Sequence, residues 1–357
     1  MNSSYDVVII GGGPAGLSAA TALARFRRTV LVLDGGAPRN APAGHLHNFL
    51  SRDNTSPLEL VALGRKEVES FGGTVESAQV SGIRRVGDAF EVTTADGRVA
   101  QARRVLVTTG LQDRLPDIPG VAERWGRDVL HCPYCHGYEV RDQAVGILAV
   151  GPLAGHAAGL WRQLTDRVTV FRHDDEELDP ETAERLEVLG VPVVDGTVAG
   201  LVVDEDRLTG IRLESGEVLP VDAVVVSPRA GARAGFLGDL GLETVEIEMM
   251  GRVVATRLDT DPLGRTAVPG VWAAGSVVEP MAQLMASAAS GLMAGAQINA
   301  ELVETRIQER LVTLRAASQS VTSATASLNA AGSSRLGWWA VPSMSTVRPS
   351  GAESASR

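Results

Sequence analysis

The chain is poor in cysteine. Its 357 residues hold only two, and both lie in one tetrapeptide, Cys132-Pro133-Tyr134-Cys135. A structural staple normally closes a longer loop, so a framework role is disfavoured. Positive charge is also scarce: 33 Lys and Arg stand against 43 Asp and Glu, a net charge of −10. A nucleic-acid partner would need a basic face, and this balance argues against one. No apolar run is long enough to span a bilayer, and Met1-Asn2-Ser3-Ser4-Tyr5-Asp6 shows no basic stretch leading into an apolar one. The expected compartment is the cytoplasm. The length suffices for two domains and a sizeable core.

What is present begins with a short β-branched run over residues 5–10. Gly11-Gly12-Gly13-Pro14-Ala15-Gly16 follows, then an alanine-rich helix over 14–25. A strand over 29–33 ends at Asp34-Gly35. This is a βαβ start, and Gly11, Gly13 and Gly16 fit G-x-G-x-x-G. The first glycine permits the tight turn. The second lets backbone approach a pyrophosphate on the helix N-terminus, and the third allows close helix–strand packing. Asp34 stands where it accepts hydrogen bonds from an adenosine ribose. A helix over 57–71, a meander over 80–99 and a strand over 104–108 come next.

A second unit of the same kind starts at Ala144. Its strand over 145–150 leads into Gly151-Pro152-Leu153-Ala154-Gly155, a helix to about 164 and a strand over 168–171. Further strands are expected over 191–194, 199–203 and 223–226. Gly270-Val271-Trp272-Ala273-Ala274-Gly275-Ser276 reads as a strand entering a loop, with a small-residue helix over 281–302 behind it. The fold class is therefore α/β, two Rossmann-like units with the second inserted in the first. The expected division is 1–118 with 247–305, then 119–246. Residues 306–357, rich in Ser, Ala and Thr, read as a mostly disordered tail.

The segment around the cysteines carries the chemistry. A CxxC pair at a helix N-terminus can hold one thiol as thiolate, and His136 beside it can move a proton near neutral pH. Disulfide exchange requires that combination. Zinc bound by both cysteines with His131 and His136, haem attachment through C-x-x-C-H, and inert buried thiols are the rival readings.

The FAD-type motif, the inserted second unit and the CxxC at its start together resemble low-molecular-weight thioredoxin reductase, over residues 5–302. Thr108-Thr109-Gly110 and Val271-Trp272-Ala273-Ala274-Gly275 resemble the paired motifs of two-dinucleotide-domain flavoproteins. Ser276 stands where that family usually has Asp. The run C-P-Y-C-H-G-Y-E is similar to the related FAD-dependent dithiol oxidases, which close disulfides in gliotoxin, holomycin and romidepsin. His136 stands where the reductases usually carry Asp.

The resemblance implies an FAD site built from Gly11, Gly13, Pro14, Ala15, Gly16, Asp34, Gly35, Asn48, Thr109, Gly110, Gly275, Ser276, Met281 and Ala282. It implies that Cys135 lies against the flavin and Cys132 exchanges with substrate, with His136 as base. It places the loop containing His45 and His47 near the flavin, and it implies a homodimer. The partner is then a small-molecule dithiol, with O2 as acceptor, or a thioredoxin-like protein. Pro152 offers no N–H to a phosphate, and Asp174, Asp175, Glu176 and Glu177 after Arg172 would repel a 2′-phosphate. The middle unit is thus expected to have lost NADPH. A reductase driven by NADPH or ferredoxin, and a non-enzymatic flavin redox sensor, are the alternatives.

Overall fold

A computed structural model describes residues 4–148, 153–173 and 178–332. Strand β1 (Ser4–Ile10) turns into α1 (Pro14–Arg25), and β2 (Val30–Asp34), α2 (Pro57–Ser70) and β3 (Thr74–Ser77) follow. Then come β4 (Val80–Val86), β5 (Ala89–Thr94), β6 (Val99–Val107) and β7 (Leu111–Arg114). Val7, Val8 and Ile9 are wholly buried, because β1 sits between β2 and β6, parallel to both. Each such side chain contributes about 1.5–3 kcal/mol by leaving water. The sheet order is β3-β2-β1-β6-β5-β4.

The chain then leaves this sheet. It forms α3 (Val121–Arg124), β8 (Val129–Leu130), the single turn α4 (Pro133–His136), β9 (Val145–Leu148) and α5 (Leu153–Trp161). β10 (Val168–Arg172), α6 (Pro180–Val188) and β11 (Val193–Asp195) come next. A meander of β12 (Val198–Asp204), β13 (Arg207–Leu213) and β14 (Val218–Leu219) precedes β15 (Ala223–Val226). Five of these strands make a second sheet, β11-β10-β9-β15-β8, with every pairing parallel. Trp161, fully buried, fills its core with Leu130, Val145, Ile147 and Val170. Both Rossmann-like units expected from the sequence are present.

The return runs through β16 (Arg229–Ala232), β17 (Thr244–Met249), β18 (Arg252–Leu258), β19 (Val271–Ala273) and α7 (Leu284–Gly332). β19 joins the first sheet beside β6. A third sheet, β17-β18-β16-β7, holds the outgoing and returning strands side by side. Ala232 pairs with Leu111, and Arg229 with Arg114. The sequence-based return at 247 therefore falls within the β17–β18 hairpin. Ala234, Leu237 and Leu242, ahead of that point in the chain, are buried in the first core.

Two further differences stand out. Leu153, Ala154 and Gly155, read as loop, form the first turn of α5. Helix α7 starts at Leu284 and runs on through the expected tail to Gly332. Ala, Leu, Glu, Gln and Arg are frequent in that stretch, and between Gly295 and Gly332 it holds no glycine or proline to break a helix. The rest of the expected tail, 333–357, lies outside the described residues.

Candidate active site

The turn from β1 into α1 is shaped for backbone approach. Gly11 has φ +112°, and its N–H donates to the Leu33 carbonyl at 2.8 Å. A Cβ on Gly11 would lie 2.4 Å from the Thr108 carbonyl oxygen, and one on Gly16 only 2.0 Å from the Gly11 oxygen. Gly13 is different: no heavy atom stands within 4 Å of a Cβ built there. That open side borders a cavity at the N-terminus of α1. Pro14 takes the first helical position, where its missing N–H costs nothing. Unpaired amides and the helix dipole favour an anion at this point, so the cradle fits a dinucleotide pyrophosphate.

Asp34 lies on the cavity wall with Gly35. Its Oδ1 accepts from the N–H groups of Gly12 (3.3 Å) and Gly36 (3.1 Å), and its Oδ2 from Arg65 Nη2 (2.6 Å). A carboxylate has about four acceptor positions, so it retains capacity for a ribose hydroxyl. Across the cavity, Thr109 Oγ1 donates to the Arg233 carbonyl at 2.7 Å. Gly110, at φ +69°, leaves room beside Ser276, whose Oγ would stand 3.3 Å from a Cβ there. Pro14, Ala15, Thr109, Gly110, Ser276, Met281 and Ala282 all border the cavity. Gly16 and Gly275 do not. Gly16 packs against the turn, and Gly275 donates its N–H to Ser290 Oγ at 2.9 Å.

The cavity measures about 1460 Å³ and continues past Cys132, Pro133, Cys135 and His136. Parallel pairing of β8 with β15 delivers the chain there. Cys132 caps α4, its carbonyl accepting from the N–H groups of Cys135 (3.1 Å) and His136 (3.2 Å). Both cysteines are free and half-buried. The Cys135 thiol donates to Cys132 and pulls its thiol pKa down to about 7. Burial opposes this shift, while the Cys135 and Tyr134 amides and the Arg39 cation support it. Cys135 moves upward for the complementary reason, with burial adding to the effect. Burial lowers the pKa of His136, against the pull of Glu139, so its ring is neutral at pH 7.

Asn48 was expected to bind the cofactor, but it does not border the cavity. At φ +58°, a left-handed conformation that asparagine tolerates, its Nδ2 donates to the Tyr134 carbonyl at 2.5 Å. His47 bridges Asp53 (3.2 Å) and Glu139 (3.3 Å). The loop between β2 and α2 thus clasps the redox segment. His45 and His47 both reach the cavity wall.

Sequence reasoning missed Arg39. Its guanidinium makes a two-pronged contact with Asp113, at 2.8 and 2.6 Å, and both residues border the same cavity as the cysteines. Neither residue belongs to a motif, and 74 positions separate them. Sequence reasoning also missed the face of α5. Leu153, His156, Ala157 and Leu160 follow helical spacing and border the same cavity. At the end of β10, Arg172 is paired with Asp195 at 2.7 Å, and beyond it His173 Nδ1 accepts from the Val198 N–H at 3.1 Å. Gly151, Pro152 and the acidic run 174–177 lie outside the described residues.

A family model described as pyridine nucleotide-disulphide oxidoreductase matches residues 5–295. The chain belongs to this family. The thioredoxin reductase sirT of Leptosphaeria maculans is 32% identical over 314 residues, covering 83% of this chain and 94% of that protein. The crystal structure of HlmI matches with a TM-score of 0.82 and 44% identity, over 90% of this chain and 99% of that one. A thioredoxin reductase TrxB from Bacillus anthracis gives 0.77 at 27% identity, over 85% and 99%. This pyridine nucleotide-disulphide oxidoreductase is an FAD-dependent disulfide oxidoreductase. Among the described residues, no helix is long and apolar enough to cross a membrane.

Proposed function

We propose that the enzyme oxidises a small-molecule dithiol to its disulfide, with O2 as final acceptor and H2O2 as the second product. The observation that carries this reading is that the Cys132–Cys135 pair and the dinucleotide cradle border one cavity. The engagement of Arg172 and His173 with Asp195 and Val198 supports a middle domain that no longer takes NADPH. The domain division proposed is 1–118 with the returning chain from Arg229, and the inserted unit between them.

Gly11, Gly13, Pro14 and Ala15 would hold the pyrophosphate, with Gly16 packing the turn behind them, Asp34 and Gly35 the adenosine, and Thr109, Gly110, Ser276, Met281 and Ala282 the flavin half. Ser276 offers a hydroxyl but no charge to the ribityl chain. When bound, FAD supplies the two-electron acceptor for the dithiol and the route onward to O2. The protein does the sulfur chemistry. His136, neutral at pH 7, takes the proton of an incoming substrate thiol. The thiolate attacks Cys132 Sγ, breaking the Cys132–Cys135 bond and leaving the electron pair on Cys135. The second substrate thiol, also deprotonated, attacks the substrate sulfur bound to Cys132. The product disulfide leaves, and the pair holds two electrons.

The names of the relatives favour a second reading, a thioredoxin-disulfide reductase. One experiment separates the two. The oxidised flavin band of the purified holoenzyme is followed without oxygen, with dithiothreitol and NADPH added separately. Bleaching by dithiothreitol alone, then recovery with peroxide when air enters, is the expected result. Rapid bleaching by NADPH would make the reductase the answer. Cys135→Ser should abolish thiol-driven bleaching; bleaching that persists would reject the scheme.

We also infer a homodimer. Met285, Leu292 and Met293 on α7 are exposed apolar side chains that a second copy could cover. The cytoplasm is the proposed compartment, since this dithiol serves exchange and not stapling.

A further inference from the structure

Arg39 has no part in the scheme above, yet its position is built with care. It comes from the loop after β2, and Asp113 comes from β7 in the outgoing ribbon. The carboxylate of Asp113 is only 7% exposed, and it grips both the Nε and Nη2 of Arg39. A planar guanidinium held by two parallel bonds has little freedom. The fork therefore fixes a cation at the border of the cavity that His131, Cys132 and Cys135 also line.

We propose that Arg39, clamped by Asp113, is a positioning residue that presents its cation to the dithiol and stabilises the sulfur anion that exchange creates. The inference rests on the dithiol-exchange reading of Cys132 and Cys135. Each exchange step breaks one S–S bond and leaves an electron pair on a sulfur, first on Cys135 and then on Cys132. Beside half-buried thiols, a held cation favours that charge more than it would in bulk water. The same guanidinium acts on Cys132, on Cys135 and on His131. The histidines and the carboxylate beside the pair cannot substitute for it. His131 is half-buried with its ring at 3.3 Å from the Val226 carbonyl, and desolvation lowers its pKa. His136 is neutral for the same reason, and Glu139, paired with His47, has the wrong sign. Asp113 partly offsets the charge of Arg39, so the two residues act on the sulfurs with opposite sign.

That opposition makes the test. Iodoacetamide alkylation of Cys132 in the reduced holoenzyme is followed against pH by peptide mass, with flavin content checked from the spectrum. Arg39→Met should raise the midpoint, by less than removal of the Cys135 thiol does. Asp113→Asn should lower it, and Arg39→Lys, which keeps the cation, should stay near the parent. A merely structural salt bridge would shift Arg39→Met and Asp113→Asn in the same direction, or shift neither, and either result overturns the proposal. If alkylation of Cys132 in the parent shows no pH midpoint at all, the exchange-thiol reading itself falls, and this one with it.

Discussion

The Cys135 thiol points its proton at Cys132, and that hydrogen bond is the largest influence on the exchanging sulfur. A thiolate is the nucleophile, so alkylation of Cys132 should rise with pH through a midpoint near 7. Cys135→Ala removes the donor, and the midpoint should climb toward the ordinary thiol value of 9.0. Mass spectrometry of the alkylated peptide reads both. His136 has a pKa below 6.5 because it is half-buried. Its base form is therefore lost only as pH falls below that point, and substrate-driven flavin reduction should decline on the acid side. His136→Ala should lower that rate by about 10²-fold and erase the acid limb, as expected when a positioned base is removed. Stopped-flow bleaching with dithiothreitol between pH 5 and 9 would show it. Unchanged rates would remove His136 from the scheme.

Helix α7 meets α1 through glycine. A Cβ on Gly291 would lie 2.0 Å from the Ala15 carbonyl oxygen, and one on Gly295 3.0 Å from that of Ala19. Two glycines one helical turn apart thus let the backbones touch, directly beneath the pyrophosphate cradle. Gly291→Ala must push the helices apart. The expected cost is about 1–3 kcal/mol, as for other overpacked contacts, with weaker retention of flavin. Thermal melting and the flavin-to-protein absorbance ratio measure the two effects. In the inserted unit, Arg124 does comparable work. Its side chain is 6% exposed and binds Asp128 through Nε at 2.8 Å and Asp206 at 2.7 Å, tying α3 to the β12–β13 hairpin. Arg124→Met leaves Asp128 without its cation and should cost about 3 kcal/mol or more. A denaturant midpoint close to that of the parent would show the network to be dispensable.

At the scale of the molecule, the stoichiometry of the reaction is the clearest check. One peroxide should appear for each substrate disulfide formed, without consumption of NADPH. The exposed methionines and leucine of α7 predict an assembly of twice the 37.4 kDa chain mass in sedimentation. Met285→Lys with Met293→Lys should shift it to monomer while the flavin stays bound. A monomeric parent would leave that face without the proposed partner.

The α/β class, the flavin cradle and the redox pair were legible from residues 11–16, Asp34 and 132–136, because local turn chemistry and spacing specify them. The helix α1 was readable to its ends, since Pro14 starts it and the alanine run sustains it. Tertiary structure alone decided the rest. It paired β7 with β16 in a third sheet. It drew Asn48 off the cavity onto Tyr134, because a left-handed loop residue aims its amide at the neighbouring segment. It also brought Arg39 to Asp113, and the α5 face to the cavity. Such contacts depend on where sheets place distant loops, and no local pattern encodes that distance. Sequence by itself determined which chemistry the chain carries; the fold decided which charges surround it.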